Sequence, residues 1–297
     1  MARFAPELRT YCVYSGHHLP EAAITSEHVI PRALGGKGAT TIPCSKAVNS
    51  RIGHEIDAKV TNDPMIIFGR RDTEMKGNSR QTPRAILKRA ASWKRGDAWY
   101  DPELRYNIEI PKEGAPNVYD TRTGKFLTAD ILATTGFAIP ELPIDSTARA
   151  KFVSKTLLGL GWKIFGEAFL ATGQTDALRS MIGTCNKVLS EQARLYYLDP
   201  FVLRPDEPVL DAFRVLQERT IQKGHTTILM RHTDFGFEWS VSCVGYFVGS
   251  LIYPVHQRLL PESIPHDGGV RITIENQRLV FDAVDPFPAP WGPPASS

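Results

Sequence analysis

The spacing of apolar residues changes along the chain, and each change marks an element. Thr10 to Tyr14 reads as a short strand running into a Ser-Gly turn, and Ala23 to Ile30 as a second short strand or loop, with Pro31 restricting the residue before it. Gly35, Gly36 and Gly38 mark a flexible turn. From Ala47 to Val60, Ile52, Ile56 and Val60 recur at i, i+4, i+8, which predicts a helix that Asp63-Pro64 ends. Arg84 to Trp93 is expected as a further helix, with Arg84 and Lys88 on one face. Tyr106, Ile108 and Ile110 then alternate with polar residues as in a strand, and Val118 to Phe126 reads as a hairpin turning at Thr123-Gly124. Asp145-Ser146-Thr147 is an N-cap set for a long helix from about Ala148 to Leu170. Val153, Leu157, Leu160, Ile164 and Ala168 form its apolar face, while Lys155 and Lys163 read as solvated. Thr175 to Ser190 is a candidate helix, and Thr226–Met230, Trp239–Tyr253 and Val270–Phe281 are expected strands of an antiparallel sheet. From Asp285 onward five prolines predict a disordered or extended tail.

These elements predict an α+β protein. The expected divisions are a small ββα module over residues 1–62, a basic connector over 63–104, a mixed α+β domain over 105–284 and the tail over 285–297. The 297 residues can bury a sizeable core. A formal net charge of +3 permits a polyanionic partner without demanding one. The first residues lack the apolar core of a signal peptide, and the longest apolar stretch, Val241 to Val255, is broken by Ser, Gly and Tyr. It falls short of the ~20 residues of a spanning helix. A cytoplasmic protein with no membrane contact is expected. In that reducing setting, the scattered Cys12, Cys44, Cys185 and Cys243 are not expected to form disulfides.

The chemistry is concentrated near the N-terminus. Glu27 and His28 sit side by side at the end of an apolar stretch, followed by Val29-Ile30-Pro31 and Leu34-Gly35-Gly36. Asn49 lies at the start of the predicted helix, and Gly53 and Asp57 follow within it. Such a set could hold one hard divalent cation beside a general base, as metal-assisted phosphodiester hydrolysis requires. The basic stretch holds Arg70, Arg71, Lys76, Arg80, Arg84, Lys88, Arg89, Lys94 and Arg95, and ends at Trp93, Trp99 and Tyr100. A charge run is usually a solvated face. Placed after the motif, with aromatics at its end, this one could also follow a phosphate backbone.

Glu27-His28-Val-Ile-Pro, Leu34-Gly35-Gly36, Asn49 and Gly53-x-x-x-Asp57 together resemble the H-N-H endonucleases of the ββα-metal fold, in the bacterial branch with a Glu-His-Ile-Ile-Pro pattern. The resemblance covers roughly residues 10–60. It implies that His28 is the general base, that Glu27 and Asp57 ligate Mg²⁺ or Mn²⁺, and that Asn49 fixes the loop holding His28. It also implies products with 5′-phosphate and 3′-hydroxyl ends. His54 shares a helix face with Asp57 and is a candidate further ligand or phosphate contact. Arg32, Arg51, Arg84, Lys88 and Arg89 are candidate contacts to DNA, expected to be double-stranded.

Many members of that family carry two Cys-x-x-Cys pairs around a structural zinc. Here the positions read Cys12-Val-Tyr-Ser15 and Ser45-Lys-Ala-Val48, with Cys44 one place out of register. A four-thiolate site is not available, and no structural zinc is expected. A mixed site from Cys12, Cys44 and His17 or His18 is the remaining option. Packing by Leu34, Val48 and Ile52 is expected to take over the zinc's role. Two other functions fit the same residues: a DNA-binding protein that keeps the nuclease shape without the activity, and a nuclease gated by a signal sensed in the C-terminal domain.

Overall fold

The computed structural model describes residues 9–77, 80–94, 101–138, 142, 144–171, 175–183, 197–199, 210–233, 236–253, 268–276 and 278–285. The fold is mixed α+β, with helices and antiparallel sheets. In chain order, β1 (Tyr11–Cys12) pairs with β2 (His17–His18), and β3 (Ile24–His28) pairs with β4 (Thr41–Ser45). α1 (Lys46–Ile52), a π-helical turn (Gly53–Asp57) and α2 (Ala58–Thr61) follow without interruption. Ile52, Ile56 and Val60 are all buried, so the face predicted from their spacing is the one that packs inward.

Next come α3 (Pro64–Asp72), β5 (Ala85–Lys94), β6 (Asp101–Ile110), β7 (Asn117–Asp120), β8 (Lys125–Phe126), α4 (Ala129–Thr134) and β9 (Thr135–Ala138). The five strands form one antiparallel sheet in the order β8-β7-β6-β5-β9. Its core is Ala90, Tyr106, Ile108 and Val118, with Phe137 edge-on to Tyr106. The hairpin expected at Thr123-Gly124 is β7–β8, and Gly124 takes the positive φ of 69° that this turn requires. The helix expected over Arg84–Trp93 is instead strand β5. Its Ala, Leu, Lys and Arg favour a helix, but β6 and β9 offer ladder partners on both sides, and pairing overrides propensity. Leu87 and Ala90 are separated by a bulge at Lys88-Arg89, where Arg89 has φ 61°.

α5 (Ser146–Phe165) begins at the predicted cap: the Asp145 carboxylate accepts the Ala148 N–H at 2.8 Å. It stops short of the expected Leu170 because Gly166 adopts φ 59°, ψ −134°, and a separate turn, α6 (Glu167–Leu170), follows. α7 (Thr175–Gly183) accounts for the first part of the candidate helix at Thr175–Ser190, and its remainder lies outside the described residues. After β10 (Tyr197–Leu198) and α8 (Leu210–Thr220), the chain forms β11 (Thr227–Thr233), β12 (Gly236–Cys243), β13 (Tyr246–Tyr253), β14 (Gly269–Glu275) and β15 (Arg278–Val284). These strands form one antiparallel sheet, ordered β10-β13-β12-β11-β14-β15. The single strands expected over Trp239–Tyr253 and Val270–Phe281 are each two strands. The first pair turns at Val244-Gly245, where both residues have positive φ, and Asn276 (φ 44°) lies in the second turn. The tail beyond Asp285 lies outside the described residues.

The chain divides into two units: Met1–Thr61 with Asp145–Ser297, and Asn62–Ile144. This differs from a separate module over 1–62. The first sixty-one residues share a core with α5 and the six-stranded sheet: Gly159 lies directly against Tyr14 and Val29, and Thr226 Oγ1 donates to the Leu34 carbonyl at 2.7 Å. The segment read as a connector is part of the second unit's sheet. No helix among the described residues is long and apolar enough to cross a membrane.

Candidate functional site

The site is built where β3 ends. In the β3–β4 ladder Glu27 lies opposite Ile42 and His28 opposite Thr41. Strand alternation turns Glu27 into the interior, while His28 stays half-buried. Asn49, on α1, donates its side-chain N–H to the Ser26 carbonyl at 3.3 Å, tying the helix to the strand two residues before His28. The π-helical turn ends at Asp57, whose carboxylate points toward Glu27.

Between these carboxylates lies Lys155, from the middle of α5. Its Nζ is 2.7 Å from Glu27 Oε1, 2.8 and 2.7 Å from the two Asp57 oxygens, and 3.1 Å from the His28 backbone carbonyl. Lys155 is fully buried, which corrects its reading as a solvated residue. Lys163, read the same way, is half-buried and donates to the Thr41 carbonyl at 2.8 Å. Tyr14 Oη reaches the Lys155 carbonyl at 3.4 Å from the other side.

Burial sets the electrostatics. It pushes the Asp57 carboxyl up to about 6, with the Glu27 charge in the same direction and Lys155 opposing. Burial also works against the Lys155 charge, but Asp57 and Glu27 outweigh it and hold the ammonium above its ordinary value. Arg32 donates from Nε to His28 Nε2 at 3.3 Å. Burial and then the Arg32 charge hold the His28 imidazole below its usual value, so it is neutral at pH 7. Arg32→Ala is therefore expected to raise the His28 pKa toward about 6.5. An NMR titration of the His28 ring protons would show this, and an unmoved midpoint would remove Arg32 from the site.

No family model, curated protein or solved structure matches this chain. The site is therefore read from its own geometry. Glu27, His28, Asn49 and Asp57 are brought together on one β-β-α segment, with Arg32 beside His28. His54 is exposed on the helix while Asp57 turns inward, so the two do not act as a shared ligand face. Among the described residues, no three His, Cys, Asp or Glu side chains group to hold a metal ion. Arg51 is exposed on α1.

Arg84, Lys88 and Arg89 belong to the second unit. Arg84 is taken up by the Glu109 carboxylate on the neighbouring strand, and Lys88 and Arg89 are exposed at the bulge. Arg71, from the same stretch, donates to the Ile110 carbonyl and lies over the Phe68 ring, while Arg70 is buried. Part of the basic stretch is thus structural. Arg95, Trp99 and Tyr100 lie outside the described residues.

Two of the resemblance's expectations meet the geometry differently. For the structural zinc, the Cys12 and Cys44 sulfurs lie 3.8 Å apart in the core; Leu34 and Ile52 are buried and Val48 is half-buried. His17 and His18 are exposed, and His18 Nδ1 is bonded to Thr10. The Cys44 sulfur holds the Cys12 thiol down to about 5, against the effect of burial. For the divalent ion, hard oxygen donors do converge on one point, but that point is the Lys155 ammonium. Mg²⁺ needs its oxygens at about 2.0–2.1 Å in an octahedron and cannot share the position. With Lys155 seated, the residues do not fit the ion.

Proposed function

We propose that this chain is an endonuclease of the H-N-H type, hydrolysing phosphodiester bonds of double-stranded DNA, with His28 as general base. A cytoplasmic setting belongs to the same proposal. The observation that carries it is the joint placement on one β-β-α segment of Glu27-His28 at a strand end, Asn49 tied to Ser26, and Asp57 turned toward Glu27. Arg32 supports it: an exposed guanidinium bonded to the proposed base is placed to bind a phosphate.

A phosphate bound by Arg32 draws the guanidinium off the ring and frees the Nε2 lone pair. His28 then takes a proton from a water molecule. The water oxygen bonds to phosphorus as the bond from phosphorus to the 3′ oxygen breaks, and the leaving oxygen takes a proton from solvent. The ends are 5′-phosphate and 3′-hydroxyl. Arg32 offsets the charge that builds on the phosphate. Glu27 and Asp57, held by Lys155, position the strand end and the helix on either side of His28.

A second reading is favoured by one observation: Lys155 fills the point where the carboxylates converge, as it would in a DNA-binding module that has lost catalysis. Nicking of supercoiled plasmid, assayed in Mg²⁺ and in EDTA, decides between the two. Nicking by the wild type is expected to fall at least about 100-fold in His28→Ala, the lower end of what a general base contributes. Equal rates would remove His28 from the chemistry. A wild type that shifts DNA in a gel but never nicks it would select the second reading.

A further inference from the structure

We propose that Lys155 is the resident cation of the Glu27–Asp57 site: its ammonium takes the place of a divalent ion, and the wild-type chain binds neither Mg²⁺ nor Mn²⁺ there.

Four oxygens from two segments surround one point: Glu27 Oε1 and the His28 carbonyl from β3, and both Asp57 oxygens from the π-helical turn. Three belong to two side-chain carboxylates and the fourth is a main-chain carbonyl, a donor set suited to a hard cation. The cation present is supplied by the chain itself, 98 residues after Asp57. The distances of 2.7–3.1 Å are those of N–H donors on oxygen rather than metal–oxygen bonds. The ammonium donates to Asp57 and to the His28 carbonyl and pairs as an ion with Glu27.

Lys155 is also poorly placed to withdraw. It lies in the centre of α5, where every residue from Ala148 to Trp162 is buried. One turn further on, Gly159 lies so close to Tyr14 and Val29 that even a methyl group there would meet them at 2.5–2.8 Å. With α5 covered on every side, the helix cannot move away without opening the core, and an ammonium leaving the carboxylates would enter apolar surroundings. A divalent ion admitted beside it would face a like charge at hydrogen-bond distance. The carboxylates are thus already neutralised in part, by a group that can balance charge but cannot act as a Lewis acid.

This inference shares its carboxylates with the nuclease reading but is measured by ion uptake. Absence of nicking would leave it standing, and ion uptake by the wild type would overturn it while leaving His28 as the base. The experiment titrates MnCl₂ into full-length protein at pH 7.5 and follows the free Mn²⁺ signal by electron paramagnetic resonance. The wild type is expected to match Asp57→Asn, with no saturable uptake through millimolar Mn²⁺. Lys155→Met is expected to take up one Mn²⁺ per chain, and the double variant Lys155→Met/Asp57→Asn to lose it. Uptake of one Mn²⁺ per wild-type chain, abolished by Asp57→Asn, would overturn the proposal. So would a folded Lys155→Met that takes up none. If Lys155→Met does not fold, the comparison of wild type with Asp57→Asn still decides whether the site admits an ion.

Discussion

Lys155→Met is expected to lower the stability of the larger unit by about 3–5 kcal/mol at pH 7.5, the range for removing one partner from a buried ion pair. Methionine replaces most of the volume of the lysine stem, so packing is nearly conserved and the loss is electrostatic. Glu27 and Asp57 are left facing each other without the cation between them, and the His28 carbonyl loses its Lys155 donor. The penalty should depend on pH in a definite direction. In the wild type, Asp57 sits near 6 when folded against a reference of 3.8, so the folded chain holds this proton more tightly than the unfolded chain. Its contribution to stability is fully present below about pH 4 and is lost as pH rises through about 6. Lys155 is raised above 10.5, so its pairing holds across that window and fails only on the alkaline side. Without the lysine, the carboxylates can relieve their repulsion only by binding a proton, so the deficit should shrink at pH 5. Urea unfolding at the two pH values measures this. Equal midpoints for variant and wild type at pH 7.5 would show that the three charges contribute nothing net. The triple variant Glu27→Gln/Asp57→Asn/Lys155→Met should recover much of the loss, since uncharged groups escape the desolvation cost.

Lys155 also marks the limit of what could be read from the chain. Glu27, His28, Asn49 and Asp57 lie within 31 residues, and helix and strand periods place them on one β-β-α segment. Lys155 comes from a helix whose apolar face is complete with Val153, Leu157, Leu160 and Ile164, so the sequence pattern alone reads the lysine as solvated. A signal was present. The rest of the helix surface carries Ser154, Thr156, Gly159 and Gly161, small residues that let neighbours approach, with few charges to hold a solvated surface. A helix without a polar face is buried all round, and a lysine inside it needs carboxylate partners. The β5 strand failed for a different reason. Its residues favour a helix, and its partners β6 and β9 are separate segments whose pairing no local pattern encodes. The Val244-Gly245 turn was hidden because apolar residues continue across it, and Gly245 alone is weak punctuation.

Gly36→Ala is expected to cost at least about 3 kcal/mol, the top of the usual range for overpacking, and to dismantle the contact between Arg32 and His28. After His28, Val29 and Ile30 enter the core with no exposed surface, and the chain then doubles back through Pro31 to Gly36. The N–H groups of Leu34 and Gly36 both donate to the Pro31 carbonyl, at 2.9 and 3.1 Å, and Gly35 donates to the Arg32 carbonyl. This fold-back brings Gly36 against the main chain of Ile30. A methyl group at position 36 would meet the Ile30 carbonyl oxygen at 1.6 Å and its carbon at 2.5 Å. A flexible side chain could swing aside, but this backbone cannot. The Val29 N–H is bonded to the Thr40 carbonyl, and on the far side of the turn the Leu34 carbonyl is held by Thr226. The turn must open or the β3 end must move, and either change carries Arg32 away from His28. Gly35→Ala provides the contrast. Gly35 has φ 88°, so alanine there pays a backbone penalty of about 1–2 kcal/mol. Urea unfolding should therefore rank Gly36→Ala below Gly35→Ala. In any Gly36→Ala protein that still folds, the His28 ring should titrate closer to 6.5 than in the wild type. A Gly36→Ala protein with both the stability and the His28 titration of the wild type would show that the Leu34-Gly35-Gly36 turn does not set the geometry of the site.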